Sequence, residues 1–580
     1  MLSSKKRSMT EAEISLPSEE PKIVRVAEKL PEWVSATAIA NYVLNDHLVD
    51  WLKLYGEDKD PKISAMLQFL FSQGRSFEEK LIDIIRNRIP VIHITSRYRK
   101  EIVVRTLNEM KKGTPIIWSA PICSEELEIN GLSDLLVRSD YINKLVPNTI
   151  SPEQETRGCK LHGKFHYLVI DVKFSTLPLR ANGINILNKD RYKAYKAQVW
   201  MYNQMIGEIQ GYTPYIAYIM GRGYNYTSYG TTYKGNSAFD KLGEVDFQGV
   251  DKDIPTIVQE SVKWVRSLRR EGKKWTIENH PELYPNMKID GDFTDKKKAI
   301  ACEIGEITQL WYCGIEHREI AISKGVSSWK DSNFTAELIG MKNERAAILN
   351  QILQVNRQEV VSFLPLKMKR MNEFVGKMNC EFFVDFEIIS GAFDNLSKLP
   401  ISSPINIIFM ISVAWIDMKG MKESVTFCVK ELTLEEEGRI MKEFLTLVGN
   451  ESELYHWSDA EPIQWMAALK RQSEYFTQKD ELKDRWTDLL YIFKEEPITV
   501  KGCFSYSLKE VCKALIKVGL IEEVWNSETS KGDEAMLKGY QEIISGGTIE
   551  KSQVLQDIAS YNVSDCFALY EILRFLRTLL

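Results

Sequence analysis

The chain has 580 residues, 44% of them hydrophobic and 27% charged, with a formal net charge of −5. These values exclude a collagen-like or low-complexity chain, and the length suits about two to four domains with full cores. The negative balance argues against a wholesale polyanion binder while leaving room for a local basic groove.

Nine cysteines, at 123, 159, 302, 313, 380, 428, 503, 512 and 566, show no Cys-x-x-Cys spacing. That pattern suits reduced thiols in an intracellular protein. No segment supplies the roughly 18 apolar residues of a membrane span. The nearest, Ile407 to Ile416, is interrupted by Ser412 and reads as a buried strand. The first residues, with Lys5-Lys6-Arg7, lead into a polar stretch unlike a secretory signal. The expected location is cytoplasmic or nuclear, not secreted and away from membranes.

Residues 1–30 are rich in Ser, Glu, Lys and Pro and read as a disordered tail. Order is expected from Trp33, with Ser35 capping a helix. Residues 62–112 read as helical, with Glu78 on the second helix. Strands are expected near 115–124, 130–138 and 166–175, a helix near 190–207, and a further strand at Tyr215–Met220 after Pro214.

Within this α-β-β-β-α-β run, three pieces carry chemistry. Gly131-Leu-Ser-Asp134 and Tyr167-Leu-Val-Ile-Asp171-Val-Lys173 are apolar strands, each interrupted by a carboxylate. Acids in buried strands are rarely there for solubility. Asp171 and Lys173, two apart, share a strand face. Carboxylate oxygens suit Mg2+ or Mn2+, and the ammonium can hold a water or stabilise a phosphorane-like charge. Gln198 and Tyr202, at i,i+4, share a helix face that can point to the same spot. Taken singly, Asp134 also fits a turn residue and Asp171/Lys173 an ordinary cross-strand ion pair.

Together these residues resemble the motifs of the PD-(D/E)xK nuclease superfamily, in its RecB-like branch. The upstream Gly-x-x-x-Glu of that branch is matched by Gly74-Arg-Ser-Phe-Glu78. The resemblance implies metal binding by Glu78, Asp134 and Asp171, catalysis by Lys173, and substrate contacts from Gln198 and Tyr202. Two departures stand out: an Asp precedes the lysine where Glu is commoner, and the long Asp134–Asp171 separation implies a hairpin insertion around 141–165. Where many relatives carry the first cysteine of an iron–sulfur cluster, this chain has Asn45-Asp46-His47, so no such cluster is expected.

Further on, Val262–Trp275 interleaves Arg266, Arg269, Arg270, Lys273 and Lys274 with Trp264 and Trp275. Basic side chains and aromatics together suit single-stranded nucleic acid; a solvated amphipathic helix accounts for the same residues. Residues 296–376 read as a helical connector turning at Gly325, a spacer whose amides after Gly325 offer a backbone-phosphate contact.

From Cys380 the character changes. Phe382-Phe-Val-Asp385-Phe-Glu387 is a strand with two acids on one face, followed by strand-like runs at 406–416 and 422–429. A helix opens at His456-Trp-Ser-Asp459-Ala-Glu461, and Tyr561-Asn-Val-Ser-Asp565 shares one helix face. Four converging carboxylates can hold a pair of metal ions about 4 Å apart. The set resembles the DEDD exonucleases of the RNase H-like fold, in their tyrosine variant. By that resemblance Asp385, Glu387, Glu461 and Asp565 are metal ligands and Tyr561 aids the water. Glu461 stands where Asp is usual, with Asp459 as the alternative; Asp488 reads as a cap.

The expectation is an α/β (α+β) multidomain chain: a tail at 1–30, a RecB-like nuclease at 31–290, a helical connector at 296–376 and an RNase H-like exonuclease at 380–580. Its expected activity is metal-dependent hydrolysis of DNA, single-stranded or at ends, in repair, recombination or replication. The alternatives are a ribonuclease using the second unit and a nucleic-acid-binding scaffold. No Gly-x-x-x-x-Gly-Lys-Ser/Thr loop occurs, so unwinding would fall to a separate helicase.

Overall fold

A computed structural model describes residues 33–57, 63–95, 99–154, 158–368, 380–391, 393–472, 482–525 and 532–579. The expected tail and the end of the connector lie outside the described residues. The architecture is mixed α/β, with two principal sheets.

Tyr167–Val172 organises the first sheet. All six of its residues are buried, as a near-continuous apolar run covered on both faces should be. It pairs antiparallel with Ile129–Arg138 and parallel with Ile216–Met220. The sheet runs, in strand order, 243–246, 216–220, 167–172, 129–138, 116–124 and 91–93, with Val34–Ser35 joined to one end of 129–138. Tyr167 and Val169 face a core under the helix Tyr192–Gln210, which Gly211 closes at φ 69. Leu168, Ile170 and Val172 face the opposite core, filled by Phe77, Leu81, Ile82 and Ile85 of the helix Ala65–Arg86.

The second sheet runs 422–428, 407–416, 380–389, 452–456 and 486–488; its first three strands are antiparallel and the last two join in parallel. The long helix Gln553–Arg577 lies against it, and Asn562 Nδ2 donates to the Asp385 carbonyl at 3.3 Å. The helix Ala65–Arg86 serves both sheets, since Phe69 at its other end packs on Phe393 at 5.0 Å. Arg222 reaches Asp394 across the same junction at 3.4 Å.

The principal strands and the 192–210 helix fall within a few residues of expectation. Four details differ. Ser35 is not a cap: its backbone pairs with Asn130, and the helix starts at Ala40 without a side-chain cap. Residues 62–112 are interrupted by the strand Val91–His93, and Glu78 lies on the third helix after Trp33. The described residues of 141–165 hold the helix Ser139–Leu145 and a short 3-10 turn in place of a hairpin. The connector is no loose spacer: Ile307, Phe334, Leu349 and Ile352 share one apolar core with Phe493, Val511, Leu569 and Leu573. Gly325 turns at φ 81, but the Val326 and Trp329 amides are bonded to Ala321 and Gly305 carbonyls, not left open.

Among the described residues no helix is long and apolar enough to cross a membrane.

Candidate active sites

The first site forms where Tyr167–Val172 ends. Asp171 is fully buried, and Lys173, just beyond the strand, brings its ammonium to 2.7 Å from Asp171 Oδ2. Asp134, on the neighbouring strand, accepts the Val172 amide at 2.8 Å. Although Asp134 keeps some exposure as a residue, its carboxyl group is enclosed. Burial first, then the Asp171 charge, raise its pKa well above the usual carboxylate value, against Lys173. For Lys173, burial opposes the charge, but Asp171 and Asp134 outweigh it and hold the ammonium above the ordinary lysine value.

Glu78 approaches from the opposite layer. It accepts a 2.7 Å hydrogen bond from Trp118 Nε1, and burial together with the Asp171 charge raises its pKa. Tyr202 is 2% exposed; its hydroxyl oxygen accepts from Gln198 Nε2 at 2.7 Å, leaving the phenol proton for another acceptor. Burial, then Asp171 and Asp134, raise its pKa. The glycine at 131 makes this possible, because a Cβ there would strike the Tyr202 ring. Lys173 also lies 4.7 Å from the Tyr195 ring centroid. The structure therefore brings Glu78, Asp134, Asp171, Lys173, Gln198 and Tyr202 to one place.

The basic helix, Ile254–Glu271, turns out differently. Arg266 donates to the Leu127 carbonyl at 2.7 Å and Arg269 to the Trp33 carbonyl at 2.6 Å. Arg270 stands exposed in the last turn. Trp264 packs against Tyr42 and His47, and Trp275, 9% exposed, stacks on His280. Arg266 and Arg269 tie elements together; Trp275 is core and Trp264 is partly buried against it, not an open stacking surface.

The second site gathers Asp385 and Glu387 from the central strand, Glu461 from the first turn of Ala460–Arg471, and Asp565 from the long helix. Burial first, then Asp565, Glu461 and Glu387, push the Asp385 pKa well up; it lies within hydrogen-bond reach of Glu461. Glu387 is raised to about 8 by burial and then by Asp565, against Lys509. Asp565 is raised by burial, opposed by a 2.8 Å hydrogen bond from Trp525 Nε1. Tyr561, one turn before it, is raised by burial and by Asp565. Asp459 is exposed at the helix start, so Glu461 is the acid that joins the cluster. Asp488 caps its helix through Leu490 N at 2.8 Å and takes Ser458 N as well.

Sequence reasoning missed Trp118, Tyr195, Lys509 and Trp525. Lys509 sits with its ammonium 4.5 Å from the Tyr561 ring centroid. It opens a helix that Ser507 caps, and its place in Tyr506-Ser-Leu-Lys509 is the one signal the sequence offers.

Among the described residues, no group of three or more Asp, Glu, His or Cys side chains is arranged to hold a metal ion. The chemistry of the donors nonetheless suits a hard divalent cation. Asp171 Oδ1 is buried with no hydrogen-bond partner, and Glu461 Oε2, likewise buried without a hydrogen bond, lies 3.6 Å from His456 Nδ1; orphaned carboxylate oxygens are costly unless something positive meets them. Compared with known proteins, the chain matches no family model and no curated protein.

Proposed function

We propose that this chain is a divalent-metal-dependent nuclease acting on DNA. In this reading a RecB-like PD-(D/E)xK unit lies toward the amino terminus, and a DEDD-type RNase H-like exonuclease unit lies toward the carboxyl terminus. Asp171 carries the reading: a fully buried carboxylate beside the sheet's centre, faced by Lys173 at 2.7 Å, with one oxygen left over. Groups held under such electrostatic strain cluster at functional sites. The five-strand order of the second sheet, with its acids on the central strand, supports the second assignment.

When bound, Mg2+ or Mn2+ supplies a nucleophilic water and charge neutralisation at the phosphoryl group. Glu78, Asp134 and Asp171 would hold it in the first site; Asp385, Glu387, Glu461 and Asp565 would do so in the second. Lys173, fixed between Asp171 and the Tyr195 ring, presents an ammonium to a phosphate oxygen and stabilises charge developing there. Tyr202, anchored by Gln198, offers its phenol proton on the acid side. In the second site Tyr561 orients a water beside Asp565, with Lys509 lowering the local negative charge.

The test is Mn2+-dependent degradation of end-labelled single- and double-stranded DNA and RNA. Wild type should shorten DNA, and Lys173→Ala should slow this by at least about 100-fold. A second reading is RNA trimming through the second site, where Asp385, Glu387, Glu461 and Asp565 come together. It would replace the first if Asp385→Ala alone abolished cleavage and RNA were preferred. A wild type that cuts nothing would leave a nucleic-acid-binding scaffold.

A further inference from the structure

A hairpin rises beside the first site, and neither set of acids uses it. Gly223–Ser228 pairs antiparallel with Thr231–Gly235, and its root pairs in parallel with Thr176–Pro178, the segment that follows Lys173. Arg222 N donates to the Ser175 carbonyl at 3.0 Å, and Lys173 N to the Met220 carbonyl at 2.8 Å. The hairpin is thus continuous with the backbone that presents Lys173. A six-residue strand carries its tip about 20 Å away from that root.

Its side chains are unusual for a solvated hairpin. Tyr226 and Tyr233 face each other across the strands with rings 4.8 Å apart and 14° from parallel. Tyr224 extends the row at 6.2 Å and 22°. Lys241 lies 5.2 Å and 5.7 Å from the Tyr224 and Tyr226 ring centroids. At the open end Tyr233 is 46% exposed, and at the tip Tyr229 is fully exposed. Tyr229 also adopts φ 47, followed by Gly230 at φ 77. Two-residue hairpin turns of this kind favour Asn or Gly at the first position. A bulky residue pays a steric cost there, and such strain points to use. Residues 222–239 include Arg222 and Lys234 and no carboxylate, within a chain of net charge −5.

We propose that this hairpin is a stacking platform for single-stranded nucleic acid, leading the substrate strand to Lys173. The inference rests on the nuclease reading of that site and adds how the strand reaches it. Unpaired bases continue the tyrosine row on Tyr233 and cap the tip on Tyr229, while Lys234 follows the phosphates. Stacking of this kind contributes roughly 5- to 150-fold in affinity per base and is indifferent to sequence. A duplex, whose bases are already stacked, has no free faces to offer.

The test measures binding of fluorescein-labelled oligo-dT, oligo-rU and a duplex, each about 20 units long, to the full chain in EDTA. Tyr229→Ala/Tyr233→Ala should lose at least about 20-fold for dT, while Tyr229→Phe/Tyr233→Phe stays within about twofold and duplex binding is unchanged. Loss for dT and rU alike identifies a platform shared by both polymers; loss for one alone identifies that polymer as its ligand. Quenching of a 2-aminopurine base should disappear with the alanine pair, which a merely structural role would not cause. Thermal melting checks that both pairs fold.

Mn2+-dependent cleavage of bis-p-nitrophenyl phosphate, too small to reach the hairpin, separates the two claims. If wild type cleaves it and the alanine pair binds oligonucleotides like wild type, the platform is overturned and the nuclease stands. If wild type cleaves no diester while binding remains tyrosine-dependent, the nuclease reading falls and the platform survives as a binding surface. If wild type binds no single strand, the platform is overturned.

Discussion

The two candidate sites solve the same electrostatic problem in different ways. Each buries several carboxylates, but the first places a cation in contact with one of them, Lys173 on Asp171 at 2.7 Å. In the second, the nearest lysine, Lys509, rests over the Tyr561 ring, and the acids face one another. Coulomb energies at such separations amount to several kcal/mol in a protein interior. The first site is therefore partly neutralised by its own chain. Among the described residues the second has no ammonium in contact with one of its acids, only His456 Nδ1 at 3.6 Å from Glu461 Oε2, and holds its acids together by keeping protons or by taking up positive charge from outside.

This contrast predicts opposite signs for one chemical change. Asp171→Asn removes the contact partner of Lys173 and should destabilise the protein by about 3 kcal/mol, the low end for breaking a buried pair, because Asp134 stays near. Glu387→Gln removes a repelling charge and should stabilise the metal-free protein by about 2 kcal/mol at pH 8. The full rise of Glu387 is worth more, but it is shared among coupled acids. Chemical denaturation in EDTA at pH 8 measures both. Equal signs would break the comparison.

The next largest effect is pH dependence. Glu387 has a folded pKa of about 8, above its unfolded value near 4.3. Its contribution to stability is fully present below the unfolded value. It is lost as pH rises through about 8, because the unfolded chain releases the proton first. Metal-free melting temperature should thus fall between pH 5 and 8, and Glu387→Gln should flatten that fall. Mn2+ competes with the same protons, so its stabilisation should grow over the same window. Melting curves with EDTA and with Mn2+ test this; a slope that Glu387→Gln leaves untouched would remove the repelling-acid account.

How much of this was legible depends on the sequence distance of the forces involved. Asp171-x-Lys173, Gln198-x-x-x-Tyr202 and Tyr561-x-x-x-Asp565 were legible because strand and helix periods fix them locally. So were the all-buried strand at 167–172 and the apolar run at 407–416. Ser35 was misread because a long-range pairing with Asn130 outweighed its capping propensity. Arg266 looked free to meet a phosphate, yet a carbonyl 139 residues away in sequence claims it. Trp118 and Trp525 carry no local signature at all. Each meets its acid only through tertiary packing, 40 residues apart in sequence for both tryptophan pairs.

The smallest predicted effect lies inside the second site and tests its make-up most sharply. Asp459 and Glu461 sit two residues apart at the start of one helix, yet only Glu461 turns inward, where it is 6% exposed and its Oε2 lies 3.6 Å from His456 Nδ1 without a hydrogen bond. Asp459 lies at the helix N-cap position and makes no side-chain cap hydrogen bond. Asp459→Ala should therefore change stability by no more than about 0.5 kcal/mol, as exposed substitutions do, and leave Mn2+ uptake by calorimetry intact. Glu461→Ala should abolish uptake at that site, because it removes the acid that meets Asp385. Loss of uptake in Asp459→Ala alone would assign the second-motif acid to Asp459, and the Asp385–Glu461 contact would then be packing without chemistry.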